Sequence, residues 1–151
     1  MILVSACLLG ENCKYDGNNN NNLYVKLYLK DKDYIAFCPE IAGGLEAPRL
    51  PCERCQGRVI NSGGEDLTDE FVDGAEQALE LCQETGATLA VLKEGSPSCG
   101  VNWIYDGSFE HIRIPGQGVT AQLLTENGIK CISEEDIING RLAYSRPPVF
   151  C

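Results

Sequence analysis

Histidine is almost missing from this chain: His111 is the only one in 151 residues. A multi-histidine metal site is therefore excluded. No apolar run approaches the length that spans a bilayer. The opening Met1-Ile2-Leu3-Val4 lacks the basic flank of a signal peptide and is too short for one, so it is expected as a strand. The absence of an export signal makes the cytoplasm the expected location, where thiols stay reduced. Cations are scarce as well. Twelve Lys and Arg against 22 Asp and Glu leave a net charge of −10. Phosphate neutralisation needs clustered cations, so nucleic acid is an unlikely main partner and a small ligand fits better. No lysine stands in the Walker A arrangement, and no internal repeat is visible.

What the chain has in excess is cysteine. Nine is an odd number, so a complete disulfide framework within one chain is impossible. At this length the chain is expected to be one domain, residues 1–151, with a core large enough to need no disulfides. In a reducing compartment, metal binding or catalysis becomes the better account of part of the cysteines.

Hydrophobic pattern and breakers order the chain as follows. Ile2 to Ala6 reads as a buried strand. Asn18 to Asn22 is a low-complexity run expected as a surface loop. Leu23 to Lys30 reads as a helix, and Tyr34 to Phe37 as a strand that stops at Cys38-Pro39. Residues 41–64 are rich in glycine and proline and read as functional loop, with a short strand at Val59-Ile60. Thr68 to Thr85 is an amphipathic helix, with Thr68 as expected N-cap and Gly86 as stop. A strand follows at Thr88 to Leu92, and a β excursion at Trp103 to Gly107 and Ile112 to Ile114. A helix at Val119 to Glu126, a strand at Ile129 to Ile132 and a short helix opened by Ser133 complete the order. The β-α-β-α alternation predicts a three-layer, Rossmann-like α/β fold with a mainly parallel sheet.

Three cysteines follow predicted strands directly: Cys7, Cys38 and Cys99. In an open α/β sheet the carboxyl ends of the strands form the ligand-binding rim. Three thiols on one rim suit a [4Fe–4S] cluster with one position open. Free cysteines are also ordinary core residues, and that alternative stands beside the first. Glu40, two residues after Cys38, is a candidate general acid or base, or a carboxylate paired with arginine. Arg49, in the stiff Pro48-Arg49-Leu50-Pro51 loop, is a candidate substrate clamp or an ion-pair partner of Glu40. Gly95-Ser96-Pro97-Ser98-Cys99-Gly100 offers two hydroxyls and backbone N–H groups to an anionic or carbonyl oxygen, or is a plain turn. Cys52-Glu53-Arg54-Cys55 is a C-x-x-C motif in what reads as proline-flanked loop, weak as a redox motif but open to a second metal site. A non-catalytic zinc-binding or thiol-redox sensor protein is the alternative function. Cys82 and Cys131 read as core. Trp103 and Tyr105 are core aromatics or a stacking surface for a planar ring.

Several segments together resemble one family. They are Val4-Ser5-Ala6-Cys7-Leu8-Leu9-Gly10, Cys13-Lys14-Tyr15-Asp16-Gly17, Cys38-Pro39-Glu40 with Gly43-Gly44-Leu45 and Pro48-Arg49, Ser96-Pro97-Ser98-Cys99-Gly100, Ile104-Tyr105-Asp106-Gly107, and Gly116-Gln117-Gly118-Val119-Thr120-Ala121. The chain is similar, over nearly its whole length, to the family catalogued as domain of unknown function 523, which includes the thiouracil desulfidases. The resemblance implies a [4Fe–4S] enzyme that removes sulfur from a thiolated uracil base or nucleoside, giving uracil and sulfide. It implies Cys7 and Cys99 as cluster ligands. Cys38 is the third choice, with Cys52, Cys55 and Cys13 in reserve, because Ile41-Ala42-Gly43-Gly44 stands where some relatives carry a cysteine. It implies acid–base work for Glu40 and a serine, Ser96 before Ser98.

Overall fold

The computed structural model describes residues 1–140; Cys151 lies outside them. Among the described residues eight strands run over Ile2–Ser5 (β1), Tyr34–Phe37 (β2), Cys52–Cys55 (β3), Arg58–Asn61 (β4), Leu89–Leu92 (β5), Trp103–Tyr105 (β6), Arg113–Pro115 (β7) and Lys130–Ser133 (β8). Five helices span Leu23–Leu29 (α1), Pro39–Ala42 (α2), Thr68–Thr85 (α3), Val119–Glu126 (α4) and Glu134–Ile138 (α5), and a 3₁₀ turn covers Ala6–Leu9. The central sheet is ordered β2-β1-β5-β8 and every pairing in it is parallel. β3-β4 and β6-β7 are separate antiparallel hairpins.

Strand side chains alternate between faces, and the two faces bury different helices. Leu3, Ala90 and Leu92 pack with Ala78 and Cys82 of α3 and with Ala121 and Leu124 of α4. Ile2, Val4, Val91 and Ile132 pack with Val25 and Leu29 of α1, with Ile137 of α5 alongside. Helices thus cover both faces, which is why the central strands β1 and β5 are almost wholly apolar. The result is the expected three-layer α/β arrangement. Cys82 is buried in the α3/α4 layer and Cys131 packs partly buried against it, so both are core as expected.

Two local expectations are corrected. Residues 52–55 are strand, not loop. Pro51 precedes the strand and Gln56-Gly57, both with positive φ, turns it into β4. Thr68 does not cap α3. The cap position is Leu67, and the Thr68 hydroxyl instead bonds Asp66 at 2.6 Å and accepts the Val59 N–H at 2.9 Å, tying the helix start to β4. Ser133, by contrast, forms a full capping box with Asp136 at the start of α5.

Glycines set the seat of α2. A Cβ on Gly74, in mid-α3, would lie 1.9 Å from the Pro39 carbonyl oxygen. A Cβ on Gly43 would lie 2.1 Å from the Glu70 carbonyl oxygen. Backbone meets backbone here, so neither neighbour can rotate away. Gly74→Ala should lower stability by about 1–3 kcal/mol through overpacking, despite alanine's better helix propensity. Glu76→Ala on the exposed face should be near neutral. Denaturant unfolding of the two variants checks this.

Candidate active site

Because β2, β1 and β5 are adjacent and parallel, their carboxyl ends deliver three connections to one rim. Ser5 leads into the turn carrying Cys7, Phe37 into Cys38, and Leu92 into the loop carrying Ser96 and Cys99. The chain winds to β2 on one side of β1 and to β5 on the other, the kind of switch point at which open α/β sheets bind ligands. A cleft of ≈ 550 Å³ opens there. Cys7, Cys13, Cys38, Cys52 and Cys99 all line it, together with Glu40, Arg49 and Ser96. Cys55 does not. Positions three apart in a strand face opposite ways, so Cys52 and Cys55 are directed apart, and both are free thiols.

The thiols interact. Cys13 sits between Cys7 and Cys38, and its single S–H, shared by the two, lowers the pKa of each neighbour while the Cys13 thiol stays far above its ordinary range. Cys38 falls to about 7, helped further by the Ile41 and Glu40 N–H groups at the start of α2 and opposed by burial. Asn20 also donates to Cys7 Sγ, at 3.3 Å. Burial pushes Cys99 up, and a Ser5 hydrogen bond opposes this. Burial pushes Cys52 up to about 12. By motif, Cys13 is only a reserve ligand and the asparagine run a surface loop. Only the folded loop shows Cys13 between two strand-end thiols and Asn20 on Cys7. Asn22 of the same run caps α1 by accepting the Val25 N–H.

Glu40 is anchored on α2. Its Oε1 accepts from Arg49, at 2.9 Å from Nη2 and 3.1 Å from Nε, and its Oε2 lies 3.4 Å from Ser96 Oγ. The side chains of Arg49 and Glu40 are only 11% and 14% exposed. Desolvation raises the Glu40 pKa, and Arg49 and Ser96 oppose the rise. Arg49 also bonds the Cys13 and Glu46 carbonyls, so each of its three nitrogens has a partner in the protein. The ion-pair reading of Arg49 therefore describes the structure.

The Ser-Pro-Ser turn departs from expectation. The Ser98 and Cys99 N–H groups both donate to Ser96 Oγ, and the Gly100 N–H to the Ser96 carbonyl. Those three donors are spent on the turn, which leaves Gly95 and Ser96 as the residues of this segment whose N–H groups are not used within it. Ser98 is fully buried, 2.8 Å from Thr120 Oγ1, and does not line the cleft. Ser96 does.

A residue the sequence did not flag holds this loop. Glu94, 2% exposed, accepts the N–H groups of Val101, Asn102 and Trp103 through Oε1 and the Asn102 amide through Oε2. Its own N–H donates to Glu134, which also pairs with Lys93 at 3.0 Å. Nothing in local sequence distinguishes it from a solvated glutamate. Glu94→Ala leaves buried N–H groups unpaired and should cost at least ~3 kcal/mol, measurable as a drop in the unfolding midpoint.

The donor set fits an iron–sulfur cluster. Among the described residues no three ligating side chains converge as a single-ion site would require. The thiols instead ring a cleft, and soft thiolates are the natural donors to such a cluster. The comparisons agree with the chemistry. A family model described as 2-thiouracil desulfurase matches residues 2–136. A solved structure, the [4Fe-4S]-dependent thiouracil desulfidase TudS, is 45% identical, covers 95% of this chain and 96% of that one, and superposes with a TM-score of 0.87. The uncharacterized protein YbbK of Bacillus subtilis (strain 168) is 37% identical over 147 residues, 91% of this chain and 97% of that one.

Proposed function

The chain belongs to the 2-thiouracil desulfurase family, and from that premise we propose that it is a [4Fe–4S]-dependent desulfidase that converts a thiolated uracil and water to uracil and sulfide. One observation carries the reading: five thiols and a serine-bonded, arginine-paired glutamate line the same cleft at the rim of a parallel sheet. Cys7, Cys38 and Cys99 would hold the cluster. Cys38 is preferred to Cys13 because the N–H groups at the start of α2 stabilise its thiolate. The cluster, when bound, supplies a Lewis acid for the thiocarbonyl sulfur.

The chain's own groups do the rest. Glu40 takes a proton from the water that attacks the ring carbon, and Arg49 holds the carboxylate in place for that transfer. Ser96 Oγ, beside Glu40 Oε2, orients the water. The carbon–sulfur bond breaks as the carbon–oxygen bond becomes a carbonyl, and the sulfur leaves as sulfide. The deep acidic charge of the chain favours a free base or nucleoside over nucleic acid, and the reduced thiols suit the cytoplasm.

Anaerobic reconstitution followed by 4-thiouracil should give loss of thiocarbonyl absorbance with matching sulfide. Cys7→Ala, Cys38→Ala and Cys99→Ala should each lose iron and acid-labile sulfide, while Cys13→Ala retains both. Glu40→Gln should keep the cluster and drop kcat by about 10²–10⁴-fold. Zinc without iron or labile sulfide in protein purified without oxygen would support the sensor alternative instead.

A further inference from the structure

A second buried carboxylate faces the cleft, and the mechanism does not use it. Glu53, on β3, is 8% exposed and lines the cleft. Its Oε1 accepts the Gly107 N–H at 2.9 Å and the Phe109 N–H at 3.1 Å. Its Oε2 has no hydrogen-bond partner among the described residues. A buried carboxylate oxygen without a donor is costly, and such atoms are rare in native structures. A donor from outside the protein is the natural partner.

The loop held by Oε1 brings the rest of the subsite. Gly107, at φ +98°, docks so closely on β3 that a Cβ would lie 2.8 Å from the Arg54 carbonyl oxygen and from Cys55 Cβ. Phe109 and His111, at φ 61° and 60°, sit in the left-handed region that non-glycine residues rarely adopt. That backbone is held only because its anchors are fixed. It delivers Phe109 and His111 to the cleft beside Tyr105 and Trp103, whose rings meet edge to face at 5.3 Å.

We propose that Glu53 is the specificity residue of this cleft: through Oε1 it fixes the aromatic loop, and through Oε2 it accepts a ring N–H of the bound thiolated heterocycle. The preferred ligand class is then a planar thiolactam that keeps an unsubstituted ring nitrogen, seated against the aromatic side chains. The inference rests on the desulfidase reading for the identity of the heterocycle.

Glu53→Gln separates the two roles. The Gln amide oxygen can still accept from Gly107 and Phe109, but its NH₂ donates where Oε2 accepts. Calorimetric titration of the cluster-loaded protein compares 4-thiouracil with 1,3-dimethyl-4-thiouracil. The native protein should prefer the N–H form by about tenfold or more, the worth of one charged hydrogen bond. Glu53→Gln should lose that preference while amide exchange at Gly107 and Phe109 stays slow. Glu53→Ala should speed exchange at both. A preference that persists in Glu53→Gln overturns the inference, because methyl bulk alone would then explain it. Loop exchange as fast in Glu53→Gln as in Glu53→Ala overturns the separation of roles. Binding with the expected preference but no sulfide release sinks the desulfidase reading alone. Sulfide release with an unchanged Glu53→Gln preference sinks only the role of Glu53, and binding of neither compound sinks both.

Discussion

Parallel pairing of β1 between β2 and β5 is the constraint on which the site depends. Parallel neighbours put their carboxyl ends on the same side, so three connections far apart in sequence start from one rim. Burial of both sheet faces keeps that pairing in register. A one-residue slip would turn Leu3 and Val4 to the opposite layers. Cys7, Cys38 and Cys99 therefore come together because two helical layers enforce the sheet, and no local motif joins them.

The rim is then stiffened by buried polar contacts within the protein. Glu94 gathers the amides of 101–103, and Ser96 Oγ closes the turn that carries Cys99. Gly74 and Gly43 let α2 lie against α3, which sets where Glu40 stands. Arg49 reaches both Glu40 and the Cys13 carbonyl, so the Glu40 carboxylate and the cysteine loop share one cation. Such buried, mutually satisfied groups trade some stability for fixed geometry.

The elements with strong periodicity were legible in the sequence. α3 and α4 have the bounds read from their apolar stripes, and β2 ends where Cys38-Pro39 forbids continuation. The misreadings share a cause. Cys52–Cys55 is only four residues long and becomes a strand by pairing with β4, a contact its own composition does not announce. Thr68 looked like a cap, but the competing hydroxyl contact to Asp66 and the Val59 amide won. Ser98 and Ser96 are equivalent as letters. Only the packing of α4 against the turn sends Ser98 to Thr120 and leaves Ser96 beside Glu40.

Sequence by itself determined the chemistry available: many thiols, one histidine, a glutamate after Cys-Pro, and strands whose ends carry them. It also determined the layered α/β architecture, because hydrophobic period and glycine–proline punctuation are local properties. Tertiary structure alone decided which thiols meet. Cys13 joins Cys7 and Cys38, Cys55 is excluded, and Asn20 and Glu53 are drawn to the cleft. Those outcomes depend on distances between segments tens of residues apart, and only strand order, glycine contacts and buried hydrogen bonds set such distances.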